Sequence, residues 1–440
     1  MGVFWAGWKL RQCINRATWQ KWPSNLVELW IPYGEVEVSV RLSDDNLAWL
    51  ADPGTEGGKQ SLEVVRSALQ SPIDTKNLKE LIKPGSKVVI AIEKAPGRTD
   101  KARLLQLVLE EVFSAGIPPS GVEVILSSGT QPIGNETLSD LNQLLKGGKL
   151  ASNDPREGDF SEVGVTSFGT KVELNRSFVN ADVRIVIGEI CANWFYGFGG
   201  PWSVALGMCS QSTIAQNGRL ALKKDAKRRD QGAVHLDLKE TASMAKIDLA
   251  LAVVPSRGGT IHDAFAGTLE KVYERSVDLA RKLFLFRAPK KADILLVGSG
   301  GLPFDSTLLR ACDALFNFVE VIEKDGRIVL VAECRDGPGG GTFFNLLYRF
   351  KEAGDVLSEI RKNFSLEGYK AMKLLELREK HGISIVSAMP TYFSEKVFAF
   401  RTADTANEGL QNAFRYMGRE SKIGIAVDGS SSLAEVEQGP

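Results

Sequence analysis

Histidine is scarce in this chain. Only 3 occur in 440 residues (His235, His262 and His381), and no two share a metal-ligand spacing. Cysteine is also sparse. The 5 residues Cys13, Cys191, Cys209, Cys312 and Cys334 are odd in number, far apart and free of any C-x-x-C, so a disulfide framework or structural zinc is excluded and a reducing compartment is expected. No apolar run approaches the roughly 18 residues of a membrane span. The start "MGVFWAGWKL" lacks the apolar length and cleavage site of a signal peptide, and Ala6 stands where a myristoylation signal wants Ser or Thr. Excess charge is absent too: Lys+Arg and Asp+Glu both total 54. No bulk field therefore draws nucleic acid or an anionic membrane, and no basic run carries interleaved aromatics. A cytoplasmic protein with neither kind of partner is expected.

What the chain does have is buried strands alternating with helices. "VELWIPYGEVEVSVRL" (27–42) reads as two strands around a Tyr-Gly turn. "KVVIAIE" (87–93), "VEVILSSG" (122–129), "VRIVIGEI" (183–190) and "IDLALAVVP" (247–255) are continuous apolar runs, as strands buried on both faces show. Helical spacing separates them, for example in "DKARLLQLVLEEVFSAG" (100–116) and over about 136–146. A long amphipathic stretch at 264–284 leads to "RAPKK" (287–291), and the rhythm then restarts with "ADILLVGSGG", "GRIVLVAECRDGPGGG" and "ISIVSAM". This alternation predicts an α/β protein of two α/β domains with mostly parallel sheets and an interdomain cleft. The first domain is expected over 1–275 and the second over 276–404, with 405–430 returning to the first and the join near 275–291.

In such sheets ligands gather at the carboxyl ends of strands. Five loops fall there: "EKAPGR" (93–98), "SSGTQPIGN" (127–135), "NWFYGFGGPWSVALG" (193–207), "GSGGLPFD" (298–305) and "CRDGPGGG" (334–341). The third has no charged residue at all, and its Gly199 and Gly200, like Gly300 and Gly301 of the fourth, are candidates for cradling a cofactor. Turn and packing duty is the alternative for each loop. None carries the Lys-Ser/Thr of a phosphate-binding Walker loop, and none is a dinucleotide fingerprint. Glu93, Glu189, Asp305 and Asp336 can act as general bases or cap helices. Arg98 and Arg335 are the cations placed to grip a carboxylate. His235 reads as a hydrogen-bonded core residue, His262 as a residue of a loop entering a helix, and His381 as a solvated neighbour of a helix end.

Motif order carries a further inference. "IPYGEVEVSV", "SPIDTKNLKEL", "SSGTQPIGN", "GFGGPWSVALGMCSQSTIAQN", "FAGTLEKVY", "GSGGLPFDSTLLRA" and "RDGPGGGTFF" run over nearly the whole chain, and together it resembles the lactate racemase family. The resemblance implies two α/β domains, a nickel-pincer nucleotide and inversion of small 2-hydroxy acids. It also marks departures. The lysine that tethers the cofactor in the family becomes Trp202, its two acid/base histidines become Asn193 and Gln131, and its nickel-ligating histidine becomes Gly218. The Asp and Arg of the first loop become Glu93 and Pro96, with Arg98 two positions late, and substrate contacts of the second domain become Leu302 and Ser306. Asn and Gln hydrogen-bond a hydroxyl but cannot take its proton near neutral pH.

The expected catalytic positions are therefore Glu93, Gln131 and Asn193. Arg98, Leu302, Ser306 and Asp336 are expected to hold a small carboxylate substrate, with Trp194 and Trp202 over its apolar side. Gly199, Gly200, Trp202, Gly218, Gly300 and Gly301 are the cofactor-side positions, with no metal ligand among them. Cys191 and Cys209 flank the glycine loop, as packing residues or as replacements for lost ligands. Three readings stay open: an isomerase of a 2-hydroxy or sugar acid, a non-catalytic binder of a carboxylate or nucleotide, and another enzyme class on this scaffold.

Overall fold

The computed structural model describes residues 19–21, 25–52, 62–93, 97–127, 135–223, 229, 232–256 and 259–437. The chain forms two units. A middle unit comprises Glu56–Cys191 and Phe195–Lys282; a terminal unit comprises Met1–Thr55, Ala192–Trp194 and Leu283–Pro440.

The middle unit is built on a six-stranded sheet in the order Ile261–Gly267, Leu249–Pro255, Val183–Glu189, Val88–Glu93, Val122–Ser127, Lys149–Ser152. All neighbours pair in parallel except Ile261–Gly267, which runs antiparallel at one edge. Its central strands are buried and mostly apolar, as the continuous runs predict. Helix Lys101–Ser114, for instance, starts where the Asp100 side chain accepts the Arg103 N–H. It then buries Leu104, Leu105, Val108 and Val112 against Val88, Ile90 and Val124.

The terminal unit holds a second six-stranded sheet, all parallel, in the order Arg401–Thr402, Gly382–Val386, Ile322–Val331, Ala292–Gly298, Ile423–Ala426, Leu47–Ala51. The expected hairpin is present: Leu26–Tyr33 pairs antiparallel with Val36–Ser43 around Gly34, whose φ of 58° suits glycine. Its inward residues Val27, Leu29, Ile31 and Val40 pack with Ile294, Val329, Ile423 and Leu410.

Two parallel α/β sheets thus agree with the expected fold class, and the chain crosses between units at Lys282/Leu283, inside the expected join. The expected domain boundaries need correction. The first 55 residues belong with the C-terminal half, not with the middle unit. The segment 405–430 belongs there too: helix Ala406–Met417 covers the terminal sheet, and Ile423–Ala426 lies inside it. The physical reason is edge pairing. Leu47–Ala51 zips onto Ile423–Ala426, and Trp49 fits over Gly424, where a Cβ would come within 2.0 Å of the indole. The stretch 264–284 also divides, into the end of the strand Ile261–Gly267 and the helix Leu269–Phe284, so His262 is a strand residue, not one of a loop. Among the described residues, no helix is long and apolar enough to cross a membrane.

Candidate active site

In the middle unit the carboxyl ends of Val88–Glu93 and Val183–Glu189 bring together Glu93, Glu189 and the loop containing Arg98. Glu189 is buried and organises that loop. Its carboxylate accepts the Arg98 N–H at 2.9 and 3.0 Å and the Thr99 N–H and hydroxyl at 2.8 and 2.6 Å. Gly97 makes this approach possible, because a Cβ there would lie 2.6 Å from a Glu189 oxygen. Glu189 is therefore a structural carboxylate, the helix-capping alternative in a different guise.

Glu93 behaves differently. Its partly buried carboxylate has Lys101 Nζ at 3.8 Å, and that ammonium also donates to the Glu93 carbonyl at 3.0 Å. Burial pushes the Glu93 carboxyl above its ordinary 4.5, Lys101 opposes the rise, and the Glu189 charge adds to it. A carboxyl raised this way can hold a proton at a pH where an exposed one cannot. Lys101 escaped the sequence reading, although its signal was present: a cation at the first position of a helix works against the dipole and so wants a local reason.

The charge-free loop is largely interior. Gly199 gives its N–H to the Cys191 carbonyl at 2.9 Å, and a Cβ on it would strike the Cys191 sulfur at 2.7 Å. A Cβ on Gly200 would meet the Trp202 ring and Ile190 at 2.7 and 2.8 Å. Trp202 is 1% exposed, donates Nε1 to the Phe198 carbonyl at 2.8 Å, and stands edge-on to Tyr273. Gly218 is buried in the last turn of helix Gln211–Arg219. Of the positions expected on the cofactor side, Gly199, Gly200, Trp202 and Gly218 are buried. Burial raises the thiols of Cys191 and Cys209 above their ordinary range, so both stand as protonated free cysteines. Among the described residues, no group of three or more His, Cys, Asp or Glu could hold a metal ion.

In the terminal unit the loops after Ala292–Gly298 and Ile322–Val331 converge on Asp305, which is fully buried. Its Oδ2 accepts the Gly34 N–H at 2.7 Å and the Glu333 N–H at 3.1 Å. Leu302 donates to the Gly34 carbonyl at 2.9 Å, and Gly301 permits this, since a Cβ there would lie 2.8 Å from the same oxygen. Gly300 and Gly301 both have positive φ, 88° and 70°. The Asp336 N–H donates to the Ser306 carbonyl at 2.9 Å, leaving the Asp336 side chain exposed. Leu302, Ser306, Asp336, Gly300 and Gly301 thus lie on loops that gather in one place in the terminal unit. Tyr33, unmarked in the sequence, joins them; burial, with the charges of Glu333, Cys334 and Asp305, pushes its hydroxyl up to about 12. Arg335 is engaged with Glu333 at 2.7 Å and Glu35 at 3.5 Å.

Asn193 lies in the short strand Ala192–Asn193 of the terminal unit. Next to it Trp194 gives Nε1 to Asp313 at 2.6 Å and packs on Phe316 and Tyr369, which anchor its ring. Gln131 and Pro96 lie outside the described residues. His235 is a core residue whose Nε2 meets the Tyr273 hydroxyl at 2.8 Å. His381 corrects an expectation: it is 8% exposed, not solvated, with Nδ1 3.2 Å from the Gly326 carbonyl.

Comparisons with known proteins agree with this layout. Family profiles described as the lactate racemase N-terminal domain and the lactate racemase C-terminal domain match residues 33–230 and 288–434. The lactate racemase of Thermoanaerobacterium thermosaccharolyticum is 26% identical over 422 residues, 92% of this chain and 98% of that protein. The lactate racemase of Lactiplantibacillus plantarum is 23% identical over 424 residues, covering 92% and 99%. The solved lactate racemase apoprotein from T. thermosaccharolyticum has the same fold, with a TM-score of 0.79 at 23% identity over 92% of this chain and 99% of that one. A Thermotoga maritima protein of known structure follows with a TM-score of 0.62 at 12% identity, covering 82% and 96%. The two profiles match both halves of the sequence in order, and the chain belongs to the lactate racemase family.

Proposed function

We propose that this protein is a racemase- or epimerase-type isomerase of a small 2-hydroxy acid or sugar acid, acting in the cytoplasm. The observation that carries the reading is the strand-end cluster of the middle unit. There a carboxyl of raised proton affinity, Glu93, faces an ammonium, Lys101, beside a loop held rigid by Glu189. Glu93 is the group that holds or returns a proton of the substrate. Lys101 keeps its carboxylate form accessible, and Arg98, on the loop whose main chain Glu189 holds, is the proposed partner of the substrate carboxylate.

The nickel-pincer nucleotide that the family resemblance implies supplies a hydride acceptor when bound. The residues of this chain do not fit its tethered form. Trp202, at the tethering position, is buried, hydrogen-bonded to Phe198 and without a nucleophile. A denatured intact mass should therefore equal that of the bare polypeptide even when the protein is produced with the cofactor-synthesis enzymes. A nucleotide-sized adduct would contradict this.

The same Trp202 favours a second reading, a non-catalytic carboxylate binder. Chiral chromatography of enantiopure lactate, malate, glycerate and gluconate after incubation separates the two. The isomerase reading expects conversion of at least one acid, with Glu93 taking the proton that Asn193 and Gln131 cannot accept. Binding without conversion of any acid would favour the binder.

A further inference from the structure

The arginines at the strand ends are not equivalent. Arg335 is shared between Glu333 and Glu35, and Arg98 is bound through its main chain to Glu189. Arg310 differs from both. It sits in the first turn of helix Leu308–Phe318, behind the N-cap Thr307, and its half-buried guanidinium donates Nη1 to the Pro303 carbonyl at 2.7 Å. Among the described residues, no carboxylate oxygen comes within ion-pair distance of that guanidinium.

The acidic neighbours that could have neutralised it are otherwise disposed. One Asp313 oxygen takes both Trp194 Nε1 and Lys370 Nζ, each at 2.6 Å. Asp336 is turned to solvent, with only its N–H tied to the Ser306 carbonyl. A cation in the first turn of a helix opposes the dipole, and partial burial without a counter-ion costs more. Burial lowers the Arg310 pKa, and Asp313 and Asp336 only partly offset it. Its hydrogen bond to the Pro303 carbonyl leaves the Arg310 charge without a counter-ion among the described residues. Pro303 holds it beside the loop Leu302–Ser306, with four of five N–H donors left for a planar anion.

We propose that Arg310 is a binding residue for the carboxylate of a small anionic ligand at the strand ends of the terminal unit. The proposal rests on the hydroxy-acid reading only for its choice of probes. Titrations of the full chain, followed by calorimetry, use D- and L-lactate, malate and gluconate, with acetate and succinate as acids lacking a 2-hydroxyl. Phenylglyoxal labelling with peptide mass spectrometry reports on Arg310 in the unmodified chain without any substitution.

Carboxylate binding should protect Arg310 from labelling. Arg310→Gln should weaken that binding about ten- to a hundredfold, and Arg310→Lys, which keeps the charge but loses the fork, by less. If a 2-hydroxy acid binds and both variants bind it as tightly as the parent, the role of Arg310 is overturned and the substrate class stands. If only acetate or succinate protects Arg310, the arginine stands and the hydroxy-acid reading falls. If no carboxylate binds or protects, the proposal is overturned.

Discussion

Four hydrogen bonds into one buried carboxylate make Glu189 the residue on which the first strand-end loop depends. Glu189→Ala would leave the Arg98 and Thr99 N–H groups without acceptors and should lower unfolding stability by about 2–4 kcal/mol. Glu189→Gln, which keeps one acceptor oxygen, should cost less. Urea titration measures both, and an unchanged midpoint in the alanine variant would contradict the role. Glu93 makes a prediction in pH. Its folded-state pKa lies above the ordinary 4.5, so the folded chain keeps a proton that the unfolded chain releases. Its contribution to stability is therefore full below 4.5 and is lost as pH rises through the raised value. Urea midpoints across that window should shift in favour of Glu93→Gln over the parent as pH increases; parallel pH curves would contradict the assignment. At this scale the sequence was partly legible. Glu93 could be placed at a strand end from its apolar run. The burial of Trp202, by contrast, depends on Tyr273 and Phe198, and the counter-ions of Arg335 come from residues 2 and 300 positions away.

Elements were more legible than their partners. A strand buried on both faces announces itself as an unbroken apolar run, and Val88–Glu93, Val122–Ser127, Val183–Glu189 and Leu249–Pro255 all lie where such runs fall. Which strand lies beside which is decided by pairing across long sequence distances, and no local pattern encodes it. Leu47–Ala51 is short, and its partner is Ile423–Ala426. The consequence is a prediction about fragments. A chain beginning at residue 283 lacks both that edge strand and the hairpin Leu26–Ser43, exposing the apolar face formed by Ile294, Val329 and Ile423. It should melt without cooperativity by circular dichroism, and fusion of residues 25–52 to it should restore a cooperative transition. A cooperative melt of the shorter fragment would contradict the assignment of the first 55 residues to the terminal unit.

Across the whole molecule, each unit repeats one plan. A parallel sheet carries its polar residues beyond its carboxyl ends, and one buried carboxylate, Glu189 or Asp305, ties the loops there through backbone N–H groups. Membership of the lactate racemase family fixes the scaffold. Under the proposed isomerase reading, with Trp202, Asn193 and Gly218 at the positions of the family's functional side chains, the proton-handling role falls to Glu93, whose carboxyl burial raises above its ordinary value. The most direct test compares the parent with Glu93→Gln on whichever enantiopure 2-hydroxy acid the parent converts, following the C2 epimer by chiral chromatography. Removal of a general acid–base group should lower kcat by about 10²–10⁴-fold and leave KM within a few-fold. A Glu93→Gln protein that inverts the acid at the parental rate would contradict the account.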